Sequence, residues 1–294
     1  MPNLRDIRQR ISNVQSTRQI TRTMEMVATA KIRKAQSRIE SARPYALSMM
    51  EVLGNVARFV RDAKHPLLEE HEKHERVVIV TVVSDRGLCG AFNSNILRMA
   101  EGLMREEAAQ GAESDIIAFG KKAIGYFRYR GIEPMASYRD VSDKPSIEEA
   151  RSIATRVIEA YSAGEIDGVK MVFNRFKNAA EHIAEIHDLL PIKHTVVEDE
   201  TDAMQLNPEY VFEPSADAVL EHLLPTYVET LVYRALLESA ASEQGARRSA
   251  MKSATDNASE MITSLTRTFN RARQGAITNE IAEIVGGAAS LEDE

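Results

Sequence analysis

A chain of 294 residues with 44% hydrophobic content is long enough for one or two domains with a real core. Aromatic content of 5% and the absence of Trp favour helices packed through Ala, Leu, Ile and Met. The lone Cys89 excludes an internal disulfide, and no run nears the roughly 18 to 20 apolar residues of a membrane span. The formal net charge is -7, yet residues 1–43 hold ten Arg/Lys against three Asp/Glu. A basic end on an acidic protein points to an acidic partner surface or to a solvated basic face. The Arg-rich, acid-poor start has the composition of a transit peptide. Its pattern runs on for forty residues, so it reads as mature structure in a soluble protein.

Both ends read as long helices. From Leu4, every seventh residue gives Leu4, Ile11, Arg18, Glu25, Ile32 and Ile39, interleaved with Ile7, Val14, Thr21, Ala28, Ala35 and Ala42. This is an a/d seam with polar interruptions. With no proline between Pro2 and Pro44, the helix is predicted over 3–60, about 80 Å long, with a kink or local adjustment at Arg43–Pro44. A charged connection follows over 62–76, then a buried strand at Val77–Val83 and a helix at 93–110. A strand at 115–119, a helix at 121–130 and a strand near 134–138 come next. Ser146 with Glu149 forms a capping-box pattern opening a helix to Ser162. Strands at 169–176 and 182–191 complete a partly parallel α/β layer. The last helix is predicted from 216 to Gly286–Gly287, with a frayed tail at Ser290–Glu294. Its face runs Ser242, Ala246, Ala250, Ala254, Ala258 and Ile262, then Leu265, Phe269, Ala272 and Ala276. The fold class is therefore α/β plus a long antiparallel coiled coil. Segment 1–60 and segment 210–287 make the rod, and 76–200 is an α/β domain inserted between them.

Catalytic patterns are weak. Ser84 to Gly90 after a strand superficially resembles a phosphate-binding turn, but a third glycine and a Gly-Lys-Ser/Thr are missing. His71 and His74, with His182, His187 and His194, do not form a zinc pattern. Cys89 has no evident base. Arg5, Arg8, Arg22, Arg33 and Lys34 are candidate phosphate contacts for nucleic acid, but aromatics and a base-reading motif are lacking. Ile20, Met24 and Val27 form an apolar edge beside the seam, either core or an edge that slides against an apolar sleeve. No catalytic constellation assembles. The residues alone indicate a non-catalytic coupling or scaffold protein, with a regulatory nucleotide-binding protein carrying coiled-coil arms as the competing class.

Three segments carry a resemblance. They are Ile20–Lys31 (ITRTMEMVATAK), Asp85–Asn93 (DRGLCGAFN) and Ala272–Ala288 (ARQGAITNEIAEIVGGA). Together they closely resemble the gamma subunit of the rotary, proton-translocating ATP synthase of bacterial or mitochondrial type. The resemblance implies a Rossmann-like central domain and a non-catalytic rotor shaft that binds no cofactor. The implied partners are the alpha and beta subunits, the epsilon subunit and the c-subunit ring, with no nucleic acid. It also implies a peripheral location on the cytoplasmic face of the bacterial inner membrane, or the matrix face in mitochondria. By motif match, Met24 faces the lever segment of a beta subunit. Arg273 and Gln274 match the pair at a beta-subunit catch loop, with Thr278 and Glu280 on the next turn. Gly87, Leu88, Cys89 and Gly90 match the turn near the lever. Tyr210 and Glu213 resemble the segment resting on the c ring. Thr23 stands where the family often has alanine, the plant form's regulatory cysteine pair is absent, and Leu291–Glu294 extend past the usual end.

Overall fold

The computed structural model describes residues 4–59, 65–179, 181–192 and 215–292. In chain order the elements are α1 (Leu4–Phe59), β1 (Arg76–Val82), α2 (Phe92–Ala109), β2 (Glu113–Phe119), α3 (Lys121–Tyr129), β3 (Ala136–Tyr138), α4 (Ile147–Ser162), β4 (Gly168–Phe176), β5 (His182–Leu190) and α5 (Ala216–Glu292). The predicted elements match these to within about two residues, except at the end of α5. That helix passes through Gly286–Gly287 to Glu292, so the expected stop there is corrected. A helical glycine costs only about 1 kcal/mol, and no proline lies between these two and Glu292. Both helices likewise continue through their internal prolines, Pro44 and Pro225.

The chain divides into two compact units, residues 28–247 and residues 1–27 with 248–294. In the larger unit the sheet order is β3-β2-β1-β4-β5. The first four strands are parallel, and β5 is antiparallel to β4. β1 is central, which explains its unbroken β-branched sequence: both of its faces are buried. Val78, Val80 and Val82 face a cluster with α4, α1 and α5, including Leu53, Tyr161 and Val228. Val77, Ile79 and Val83 face α2 and α3, against Ile96, Ala123 and Phe127. The period of two along one strand therefore sorts two cores. Ser146 caps α4 in the capping box read from the sequence. Gly120 links β2 to α3 at φ 95°, and a Cβ there would sit 2.2 Å from the Val83 carbonyl oxygen. Within this unit α1 and α5 run antiparallel. Lys31 and Gln244 meet through Asp143, while Met49, Leu53 and Val56 share a core with Leu220, Leu224 and Val228.

In the smaller unit the predicted seam points inward. Ile7, Thr21 and Ala258 are buried, and the Thr21 and Thr255 hydroxyls hydrogen-bond at 2.7 Å. Arg18, at a nominal seam position, is exposed, because a guanidinium stays in water when no partner is built for it.

Candidate functional site

The turn after β1 is held from both sides. Leu88 and Gly90 adopt left-handed backbone, φ 62° and 58°. A non-glycine residue there costs about 1–2 kcal/mol. The strain places Leu88 outward, 64% exposed, while Cys89 turns in against Phe92 and Ala246. The Ser84 N–H donates to Asn93 Oδ1 at 2.9 Å and Asn93 Nδ2 donates to Cys89 Sγ at 3.2 Å, tying the turn to the first turn of α2. Burial pushes the Cys89 thiol up, more than the neighbouring Ser84 and Arg247 pull it down. It is a packed anchor rather than a thiolate nucleophile.

Asp85 organises the next layer. Its carboxylate accepts from the backbone N–H groups of Lys121, Asp140 and Ser142, each at 2.9 Å. Burial pushes this carboxyl up, but those N–H donors outweigh it and hold it below its ordinary value. Helix α5 closes the other side. Arg247 reaches Glu243 at 2.7 Å and donates to the Gly87 carbonyl at 3.3 Å. Ser242 donates to the Asn174 carbonyl at 3.2 Å. Burial pushes the Glu243 carboxyl up, against the pull of Arg247.

In sheets of this kind, ligands lie beyond the carboxyl ends of the strands where the order reverses, here between β1 and β4. That place is taken by the face of α5 that carries Glu238, Ser242 and Gly245: Glu238 accepts from the Phe176 N–H at 3.4 Å, and a Cβ at Gly245 would come within 3.2 Å of the Ala179 carbonyl. The phosphate-turn likeness of Ser84–Gly90 thus corresponds to a turn that receives a helix.

The residues expected on the helices lie in the smaller unit. Met24 is half-buried, whereas Ile20 at 60% and Val27 at 51% are exposed, so the apolar edge faces outward. Arg273, Gln274, Thr278 and Glu280 are all exposed on successive turns, with Thr278 Oγ1 donating to the Gln274 carbonyl at 2.9 Å. Tyr210, Glu213 and His194 lie outside the described residues. His71 and His74 are engaged elsewhere in the larger unit. His71 stacks on Tyr161 and meets Asp167 at 3.2 Å, while His74 meets the buried Glu107 at 2.7 Å. Among the described residues no three His, Cys, Asp or Glu side chains converge as a metal site.

Sequence reasoning missed Asp85, Ser142, Glu243, Gln244 and Arg247 as a group. The available signal was Glu243 and Arg247 at i,i+4 spacing inside an otherwise small-residue face.

A family described as ATP synthase matches residues 3–291. The ATP synthase gamma chain of Desulforamulus reducens is 49% identical over 292 residues, covering 99% of this chain and 100% of that one. The chain belongs to the ATP synthase gamma-chain family. The gamma chain of Xanthomonas campestris is 42% identical over 290 residues, covering 98% and 99% of the two chains. Among solved structures, a chain from the central stalk and c-ring of the Tetrahymena thermophila mitochondrial ATP synthase aligns with TM-score 0.59 and 26% identity, over 80% of this chain and 99% of that one. A chain from the Euglena gracilis mitochondrial ATP synthase aligns with TM-score 0.64 and 20% identity, over 98% and 94%, which shows a shared fold. A gamma chain is a subunit of that complex and not its catalytic subunit. Among the described residues of this gamma-family chain, no helix is long and apolar enough to cross a membrane.

Proposed function

We propose that this chain is the central rotor shaft of a proton-translocating ATP synthase, without catalytic chemistry or a cofactor of its own. It turns inside a hexamer of alternating alpha and beta subunits, carries the epsilon subunit and rests on the membrane c ring. It couples proton-driven rotation to ATP synthesis. Its place is peripheral, on the cytoplasmic face of a bacterial inner membrane or the matrix face in mitochondria. The Tetrahymena relative comes from a central stalk and c-ring, which supports the rotor reading.

The observation that carries the reading is a second apolar surface on the smaller unit. Its seam buries Ile7, Thr21 and Ala258, yet Ile20, Met26, Val27, Ile277, Ile281 and Ile284 remain exposed. Apolar side chains on both sides of a helix require a surrounding partner. A single asymmetric shaft within a three-fold sleeve presses on three chemically equal sites differently, which makes their affinities differ. Met24, Arg273, Gln274, Thr278 and Glu280 are the proposed helix contacts with beta. Gly87, Leu88 and Gly90 are the turn contact, with the buried Cys89 holding the turn from within, and Tyr210 with Glu213 is the c-ring contact. Exposed charge pairs in water contribute about 0–1 kcal/mol each, so such contacts hold without locking rotation.

The test is ATP hydrolysis by the purified chain alone and after reconstitution with alpha and beta subunits. The chain alone is expected to be inactive and the assembly active. Turnover by the chain alone that persists through further purification, or failure to assemble with alpha and beta, refutes the reading.

A further inference from the structure

The larger unit contains a hollow of about 270 Å³ between α1, the loop before α4 and α5, apart from the switch-point crevice. Its floor is apolar, made by Ala35, Pro145, Leu237 and Ala240, and its rim carries Lys31, Lys34, Arg38 and Lys144 against one carboxylate, Asp143. That carboxylate is already engaged: it meets Lys31 at 2.6 Å and accepts from Gln244 Nε2 at 3.1 Å. Among the described residues Lys34, Arg38 and Lys144 have no ion-pair partner. They come from two different elements and meet at one concavity, which a solvated helix face does not require.

The site is also held in shape. The loop carrying Lys144 is fixed on one side by Ser142, whose N–H donates to Asp85, and on the other by the capping box at Ser146. Pro145 is buried, so the loop's backbone is anchored by packing as well. The backbone that carries these cations is fixed before an anion arrives, and a guanidinium with two ammonium groups matches the several acceptor oxygens of linked phosphates. A volume just below the roughly 300–1,000 Å³ of small-molecule sites suits a compact group.

We propose that this hollow binds the diphosphate group of a small ligand, supplied either by inorganic pyrophosphate or by a nucleoside diphosphate. Lys34, Arg38 and Lys144 take the oxygens, and the Leu237–Ala240 floor excludes water beneath them. The proposal does not depend on the rotor reading.

The test is calorimetric titration of the full chain with pyrophosphate and with ADP at low ionic strength, where surface charge is least screened. One saturable site is expected. The Lys34→Gln/Arg38→Gln variant should bind about tenfold more weakly, as the loss of two exposed charge contacts implies. Lys73→Gln/Arg156→Gln removes the same charge elsewhere in the unit and should change affinity less than about twofold. Equal affinity for the two ligands identifies inorganic diphosphate as sufficient, and tighter ADP binding identifies a nucleoside source. Three outcomes overturn the proposal: no saturation, equal weakening by both double variants, or an oligoglutamate peptide that competes and binds more tightly than either phosphate compound. The last would make the hollow a docking place for an acidic protein segment.

Discussion

Arg247→Leu tests whether α5 is held to the β1 turn by a buried charge pair. Arg247 is 9% exposed and Glu243 2%, so the substitution leaves a carboxylate in a place water barely reaches. Breaking a buried pair by removing one partner costs about 3–5 kcal/mol. The Gly87 carbonyl also loses its donor, a further loss of about 1 kcal/mol. The cost depends on pH. Burial raises the folded-state pKa of Glu243 above the 4.5 of an unperturbed glutamate, so the folded state holds the proton more tightly. Such a group's contribution to stability is complete below the unfolded pKa and is lost as pH rises through the folded one. Removing Arg247 takes away the cation that pulls this pKa down and carries the loss further toward alkaline pH. Urea unfolding of the full chain should therefore show a small deficit at about pH 5 and about 3 kcal/mol or more at about pH 8. Arg247→Leu/Glu243→Leu should return to within about 1 kcal/mol of the parent at both pH values. A double variant as unstable as the single one, with a deficit independent of pH, would refute a charge-based clamp.

Gly120→Ala should destabilise the larger unit by about 2 kcal/mol or more, because the new Cβ would sit 2.2 Å from backbone at Val83; urea unfolding checks it, and an unchanged midpoint would contradict the described turn. Leu88→Gly should leave stability within about 1 kcal/mol, since relief of left-handed strain offsets glycine's entropy, yet lower the protons pumped per ATP in the reconstituted complex. Normal pumping would remove Leu88 from the contact set. Met24→Lys should likewise keep stability and assembly, its stem lying along the half-buried site with the ammonium in water, while a persistent ion pair with an acidic sleeve lowers coupling. Failure to fold would make Met24 a core residue. Truncation from Ile277 should cut ATP-driven proton pumping while helicity falls only in proportion to the residues removed, because Ile277, Ile281, Ile284 and Val285 are exposed. Intact pumping with collapsed helicity would reverse that assignment.

The elements were legible in the sequence, save the end of α5. The heptad series from Leu4 marked Ile7, Thr21, Ala28 and Ile32 as the inward face of α1, and all four are buried. Such a series is visible in one dimension because a helix repeats its geometry every few residues. The β-branched run at Val77–Val83 marked the central strand for the same kind of reason, and Ser146 with Glu149 marked the start of α4. The Ile20–Val27 edge was left open between core and an outward edge, and the structure decided it, with Ile20 and Val27 exposed.

Tertiary structure alone decided what meets what. No spacing rule places Arg247 against Gly87 or gathers Lys34 and Lys144 around Leu237, because those residues are brought together by the return of α5 across the sheet. The same return settled the meaning of Ser84–Gly90, a turn with only a superficial phosphate-binding likeness, as one that packs against a helix. Buried charge depends on solvent exclusion by distant segments, and Glu243 beside Arg247 reads as an ordinary surface pair until the fold removes water from both.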